Sequence, residues 1–325
     1  MRLLVTGGCG FVGSNFVRYV LQHYGPEMIT NVDALKATGN LANLAGIAES
    51  YGERYEFLNA DIIDADKIDA LLMAHQFFGI INFAAESPAD PGLDETGDFL
   101  PTNVTGTATL LDRARHHGVR RFVQVSTDKV YGSLEPDGRS RETSPLRPNS
   151  PFAASKASAD LLALSAHRTY GQEVVIVRGS NNYGPWQHPG KLIPRTIINA
   201  LRDQPVPIHG DGANVRDWMH VDDHCAAIFD ALLNGQPGEI YNLGAGNERQ
   251  ILDVVHPILE HLGKSRDLIQ FLPARSGLDH RYALDTTKAH EQLDWKPRHR
   301  YEPALRETID WYVRHRTWWE PLVAR

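Results

Sequence analysis

The chain has 325 residues and a mass of 36.3 kDa, with 42% hydrophobic residues and a net charge of -7. That is enough apolar material for one large packed domain or two smaller ones, and an acidic balance without a basic run gives no footing for a nucleic-acid surface. Two cysteines, Cys9 and Cys225, make neither a disulfide framework nor a metal-ligand spacing, and no apolar run reaches membrane-spanning length.

The opening MRLLVTGG reads as a short strand and a turn, leaving no room for a signal peptide, so a cytoplasmic protein is the expectation. Beyond it, β-rich runs alternate with helical patterns: FVGSNFVRYVLQHYG, MITNVDA, YEFLNADI, DADKIDALLMAHQ, GIINFAAES, RRFVQVST and EVVIVRGS. Near-continuous apolar strands need burial on both faces, and parallel strands need crossovers. The order therefore predicts an α/β, doubly wound, Rossmann-type parallel sheet.

Two long helical patterns, at about 103–117 and 151–170, carry Leu110, Leu111, Leu161, Leu162 and Leu164 on apolar stripes for packing on the sheet or for dimerisation. After about residue 180 the texture becomes rich in Pro and Gly. Residues 1–180 read as a cofactor domain, to which segments near 215–245 return, and 181–325 mainly as a smaller α/β substrate domain. A last helix near 302–314 places Leu305, Ile309 and Val313 at four-residue spacing for packing.

Within TGGCGFVG, Gly7, Gly10 and Gly13 recur at three-residue intervals between the first strand and the first helix. Glycines there permit a tight turn and close approach of backbone to a pyrophosphate at a helix N-terminus, where Phe11 and Val12 also lie. Asp33 ends the second strand, 20 residues beyond Gly13, where a carboxylate accepts from ribose hydroxyls and repels a 2′-phosphate. NAD is the expected cofactor. Asp61 and Ile62 follow the third strand and could flank the adenine or serve as a turn.

VTGGCGFVGS, NVDALKATGN, FAAES, TNVTGT, VSTDKVYG, SPFAASKAS, RGSNNYGPWQHPGKLIP, GDGANVRDWMHVDDH, GEIYNLGAGNE and ARSGLDHRYALD follow one another along the chain. Together they resemble the extended short-chain dehydrogenases/reductases, specifically nucleotide-sugar 4,6-dehydratases of the dTDP-glucose type. The resemblance implies bound NAD, with Ala84, Ala85 and Asn103 also at the cofactor. It further implies an NDP-hexose substrate at Ser87, Asn181, Lys191, Leu192, Arg216, Asn242 and Arg275, and a homodimer on the two long helices.

In that family the sugar is oxidised at C4 while a tyrosine takes the hydroxyl proton, and water then leaves across C5 and C6 through an Asp acid and a Glu base. Here Thr127 and Asp128 are followed by Lys129, and Phe152 stands where the Tyr-x-x-x-Lys signature has tyrosine, with Lys156 kept for the nicotinamide ribose. An Asp-Lys pair is also found in CDP-glucose 4,6-dehydratases, so Lys129 is a candidate base, whereas Phe152 has no proton to move. Nearby Tyr131 reads as packing or orienting the loop.

Other positions depart too. Pro88 and Pro91 replace a histidine and an arginine, Leu278 a histidine, and His209 a tyrosine that packs on the nucleotide base. No metal is expected, because His220 and His224 lack an HExxH pattern. Three readings stand open at this point: a divergent 4,6-dehydratase, an epimerase or other redox-assisted enzyme of the same substrates, and an NAD and nucleotide-sugar binding protein with weakened catalysis.

Overall fold

The computed structural model describes residues 1–25, 27–36, 38–87, 96–135, 137–274 and 279–323. In chain order the strands are β1 (Arg2–Thr6), β2 (Met28–Asp33), β3 (Tyr55–Asn59), β4 (Gly79–Asn82), β5 (Arg121–Thr127), β6 (Glu173–Gly179), β7 (Asn181–Tyr183), β8 (Val206–His209), β9 (Val215–His220), β10 (Ile240–Leu243), β11 (Glu248–Gln250) and β12 (Ile269–Leu272). Seven of them form one parallel sheet in the order β10-β6-β5-β4-β1-β2-β3. The order reverses between β1 and β4. That switch point opens a crevice at the carboxyl ends of the strands, where such sheets take ligands.

Successive residues of β1 show why the strands are apolar throughout. Leu3 and Val5 pack with Phe16, Val20 and Phe229 on one face, while Leu4 packs with Ile68, Leu110 and Leu111 on the other. Period-two alternation sends neighbours to opposite faces, and helices cover both. β10 pairs with β6, and the helix Val221–Asn234 packs against the helix Phe11–His23, so residues 221–243 join the main layer, whereas Val215–His220 pairs with β7 and β11 outside the main sheet. A three-stranded sheet, β11-β9-β7, and the pair β12-β8 lie in the C-terminal half.

The helix Pro151–Tyr170 opens with Pro151, is capped by Ser150, which accepts from the Ala153 amide at 3.2 Å, and ends at Gly171 in a left-handed conformation. Its buried side is small, with Ala153, Ala159 and Ala163 against the sheet, whereas Leu161 is 57% exposed and Leu162 and Leu164 pack at the margin. Sheet packing therefore falls to alanines rather than to the leucine stripe.

The other long helix also differs from the sequence expectation. It begins earlier, at Thr96, and passes through a wider turn at Pro101–Gly106 before Thr107–His116. Near the C-terminus, the helix Tyr301–Arg314 buries Leu305, Ile309 and Tyr312, while Val313 is 36% exposed. Steps of four residues drift about 40° each around a helix, so the third position leaves the face and the residue seven along takes its place. No helix among the described residues is long and apolar enough to cross a membrane. Cys9 and Cys225 are buried and unpaired.

Candidate active site at the carboxyl edge of the sheet

The glycine-rich turn lies at the switch point. Gly7 has φ +71°, and a Cβ there would come within 2.6 Å of the Ala84 amide nitrogen, while a Cβ on Gly13 would strike the Gly7 carbonyl. Only glycine lets the two strand ends and the helix start approach this closely. Gly10 precedes the helix Phe11–His23 without a side-chain cap, and no acidic residue lies in its first turn. Its first N–H groups and positive dipole end are thus left for an anion, and Gly10, Phe11, Val12 and Gly13 line the cleft.

Asp33 is buried at the end of β2, accepting from the Cys9 amide through Oδ2 and the Leu35 amide through Oδ1, both at 2.8 Å. Burial pushes its pKa up against these two bonds. A carboxylate offers about four acceptor positions, so capacity remains for ribose hydroxyls. Asp61, Ile62, Ala84 and Ala85 line the same part of the cleft. Lys36, beside them, sits 2.6 Å from Asp61 and donates to Thr102 Oγ1 at 3.2 Å. These residues fit an adenosine ribose and pyrophosphate. Asn103 stands behind them: its amide group exchanges two hydrogen bonds with the Glu86 backbone, at 2.8 and 3.1 Å, and donates to Ser155 Oγ, holding the loop after β4 in place.

Where β5 ends, Thr127 caps the turn Asp128–Tyr131 and donates to Asp128 Oδ1 at 3.0 Å. Asp128 is 2% exposed, and its Oδ2 has no partner among the described residues. Lys129 Nζ lies 3.5 Å from Asp128 Oδ1 and donates to Asn181 Oδ1 at 3.1 Å. Phe152 and Lys156, one turn apart on the same helix, line the cleft with Ser87, Thr127 and Lys191. The Phe152 ring meets Phe99 edge-on at 5.9 Å. Lys156 Nζ donates to the Val125 carbonyl at 2.7 Å, and burial lowers its pKa to about 8.

Tyr131 supplies no proton to this cleft. Its hydroxyl donates to Asn242 Oδ1 and accepts from Arg178, each at 2.8 Å, and burial pushes its pKa up to about 12. Arg178 in turn pairs with Asp160 at 2.9 Å, both fully buried.

The C-terminal half supplies the opposite wall. Lys191, at the start of the helix Leu192–Leu201, has its pKa lowered to about 8 by burial and then by the charge of Lys129. Arg216 donates to the Val215, Asp279 and His280 carbonyls and lies 4.6 Å over the ring of Tyr282, which Lys129 approaches at 5.3 Å. Tyr282 has no place among the sequence-predicted residues, yet both cations lie against its ring.

Asn242 and Leu192 are set behind the cleft rather than in it. Asn242 is fully buried and bonds Tyr131, Ser140 and Asp285, and Leu192 packs in the apolar clusters. Arg275, Pro88, Pro91 and Leu278 lie outside the described residues.

His220 stacks on His299 at 4.2 Å with planes 29° apart, and with Asp222 the pair brings one donor atom each within 4.8 Å. Near-parallel rings run their in-plane lone pairs side by side rather than toward a common point, which suits a stack better than a tetrahedral ion. Sequence reasoning also missed Trp186, Gln187, His188, Trp318 and Leu322, all on the cleft wall. The first three lie inside RGSNNYGPWQHPGKLIP, whereas the last two sit in a tail whose local pattern signals only a helix.

The family model described as GDP-mannose 4,6 dehydratase matches residues 4–308. A dTDP-glucose 4,6-dehydratase of Streptomyces niveus is 46% identical over 326 residues, covering 99% of this chain and 96% of that protein. The crystal structure of a dTDP-glucose 4,6-dehydratase from Streptomyces venezuelae with NAD and TYD bound matches with a TM-score of 0.95 at 45% identity, covering 99% of this chain and 100% of the other. A UDP-glucose 4-epimerase from Thermotoga maritima with UDP-glucose is more distant, at 28% identity and a TM-score of 0.89, covering 97% and 99% of the two chains. The chain belongs to the GDP-mannose 4,6-dehydratase family, within the extended short-chain dehydrogenases/reductases.

Proposed function

We propose that the chain binds NAD and a nucleotide-diphosphate hexose and is a 4,6-dehydratase of the dTDP-glucose type. The observation that carries this is Asp128: a buried carboxyl with one oxygen unpartnered among the described residues, directly after Thr127, which lines the same cleft as Lys156 and the glycine-rich turn. The identity to dTDP-glucose 4,6-dehydratases across nearly the whole chain supports it, and the epimerases share far less.

Gly7, Gly10, Gly13 and Asp33 hold the dinucleotide in this reading, and NAD when bound supplies reversible oxidation and reduction of the sugar. Lys191 meets the diphosphate, since charge-assisted bonds to phosphate are strong ones. Asp128, kept in place by Thr127, gives its proton to the departing C6 hydroxyl, and Lys129 stands where the C5 proton is taken. Phe152 can accept nothing from the C4 hydroxyl. That proton passes to an amine that is partly neutral near pH 8, and Lys156 is the one beside Phe152.

Leu100, 45% exposed, and Leu161 lie on the two long helical segments and suit a homodimer interface there, and the two unpaired cysteines suit a reducing cytoplasm. Purified protein incubated with dTDP-glucose should yield a 4-keto-6-deoxy product lighter by one water. Recovery of unchanged sugar, or of its C4 epimer, would sink the dehydratase reading in favour of the binding protein or the epimerase.

A further inference from the structure

The far C-terminus reaches back across the cleft. In the helix Arg316–Val323, Trp319 is buried in the core of the C-terminal half and donates from its indole to the Tyr312 carbonyl at 2.8 Å. Trp318, one residue earlier and about 100° around the helix, instead lines the cleft together with Leu322 and Gly10–Gly13. Its indole N–H donates to Asn43 Oδ1 at 3.0 Å, and the Asn43 amide donates to the Cys9 carbonyl inside the glycine-rich turn at 2.9 Å. The Cys9 amide in turn donates to Asp33. One bonded line thus runs from the C-terminal helix through the turn to the carboxylate at the end of β2.

A second tie runs beside it. Arg18 donates to the Asn43 carbonyl at 2.7 and 2.9 Å and places its guanidinium 4.6 Å over the ring of Trp186, which meets Trp318 perpendicularly at 5.4 Å. Trp186 holds φ +67°, uncommon for a bulky side chain, and Pro185 beside it accepts from Asn15 at 3.0 Å.

We infer that Trp318 and Leu322 close the dinucleotide cleft, making the C-terminal helix a latch that retains the cofactor. This rests on the proposed NAD site. An apolar cover excludes water from the pyrophosphate, and the N–H groups of the turn bind it more strongly in the drier surroundings. A cofactor that is reduced and reoxidised within one turnover has no reason to leave between turnovers, so a closed cleft does not slow the reaction. Trp318 acts here as a positioning residue of the turn and as part of the cover.

The test is the rate at which full-length protein loaded with NAD, then freed of excess, releases it on dilution. Trp318→Ala and Leu322→Glu should both release NAD at least about tenfold faster than the parent. Trp318→Phe, which keeps the cover and loses the N–H, should fall between. Melting of the Leu322→Glu protein stripped of NAD should stay near the parent value, separating a latch from general weakening. Because Trp318 also belongs to an aromatic cluster, Leu322→Glu at the cleft margin decides the matter if Trp318→Ala does not fold. Parental release rates in a folded Leu322→Glu protein overturn the latch alone. Parent protein that takes up no NAD overturns both the latch and the cofactor reading.

Discussion

Lys129 Nζ stands 3.5 Å from Asp128 Oδ1, and both side chains are held from behind, Asp128 by the Thr127 hydroxyl and Lys129 by Asn181. An acid and an amine this close can hand a proton one to the other, which suits an elimination that needs a donor at C6 and an acceptor at C5.

Asp128→Asn should lower kcat for the dehydration by about 100- to 10,000-fold, the usual cost of removing a general acid or base. Lys129→Met should fall in the same range. NAD content after purification should be unchanged in both, because neither residue lies at the turn or at Asp33. A folded, NAD-loaded Asp128→Asn protein with parental kcat would remove Asp128 from the chemistry.

Phe152→Tyr restores a phenol one helical turn from the buried Lys156, whose charge lowers the pKa of a neighbouring phenol. Turnover of dTDP-glucose should rise by about 100-fold or more. The loss of the Phe152 proton route would then be shown as the limiting departure in this chain. An unchanged rate would mean that an amine already performs the transfer well.

In the proposed function Lys191 meets the substrate diphosphate as a cation, and its pKa is lowered to about 8 by burial and by Lys129. A depressed amine is charged below that value and loses its charge as pH rises through it. The ratio kcat/KM, which reports the free enzyme, should therefore fall above about pH 8. Lys191→Arg should carry that limb out of the accessible range. The same descending limb in the arginine variant would assign it to another group, Lys156 first.

His224 is fully buried with both ring nitrogens unpartnered among the described residues, and burial lowers its pKa from 6.5 to about 4. The unfolded chain takes up this proton at higher pH than the folded one does. The stability that depends on a neutral ring is therefore complete above pH 6.5 and is lost as pH falls through about 4. The loss amounts to about 3 kcal/mol across that window. Urea denaturation from pH 4 to 7 should show this slope, and His224→Met should flatten it. An equal slope in the variant would place the acid sensitivity elsewhere.

Much of the cofactor half was legible from the residues in order. The turn needs glycines within a few positions of each other, and Asp33 needs only to end the next strand, so spacing is enough to find them. The pattern was less reliable where several residue types satisfy it. Leucines at 161, 162 and 164 look like a core stripe, but Pro151–Tyr170 packs on the sheet through alanines, since small side chains let the helix lie close. Asn242 sits in a family motif, yet its bonds go to Tyr131, Ser140 and Asp285, a buried network invisible to local spacing.

The sequence alone determined the alternating strands and helices, the dinucleotide turn and the missing phenol at 152, because each depends on neighbours close along the chain and on side-chain chemistry. Tertiary structure decided which residues share the cleft. Asn43 and Trp318 are 275 positions apart and Tyr131 and Asn242 are 111 apart; the first pair bonds only once the C-terminal helix reaches the cleft, the second only once β10 joins the main sheet. Burial then changes what those residues can do, leaving Tyr131 tied up and reluctant to ionise while Lys156 and Lys191 come within reach of neutrality.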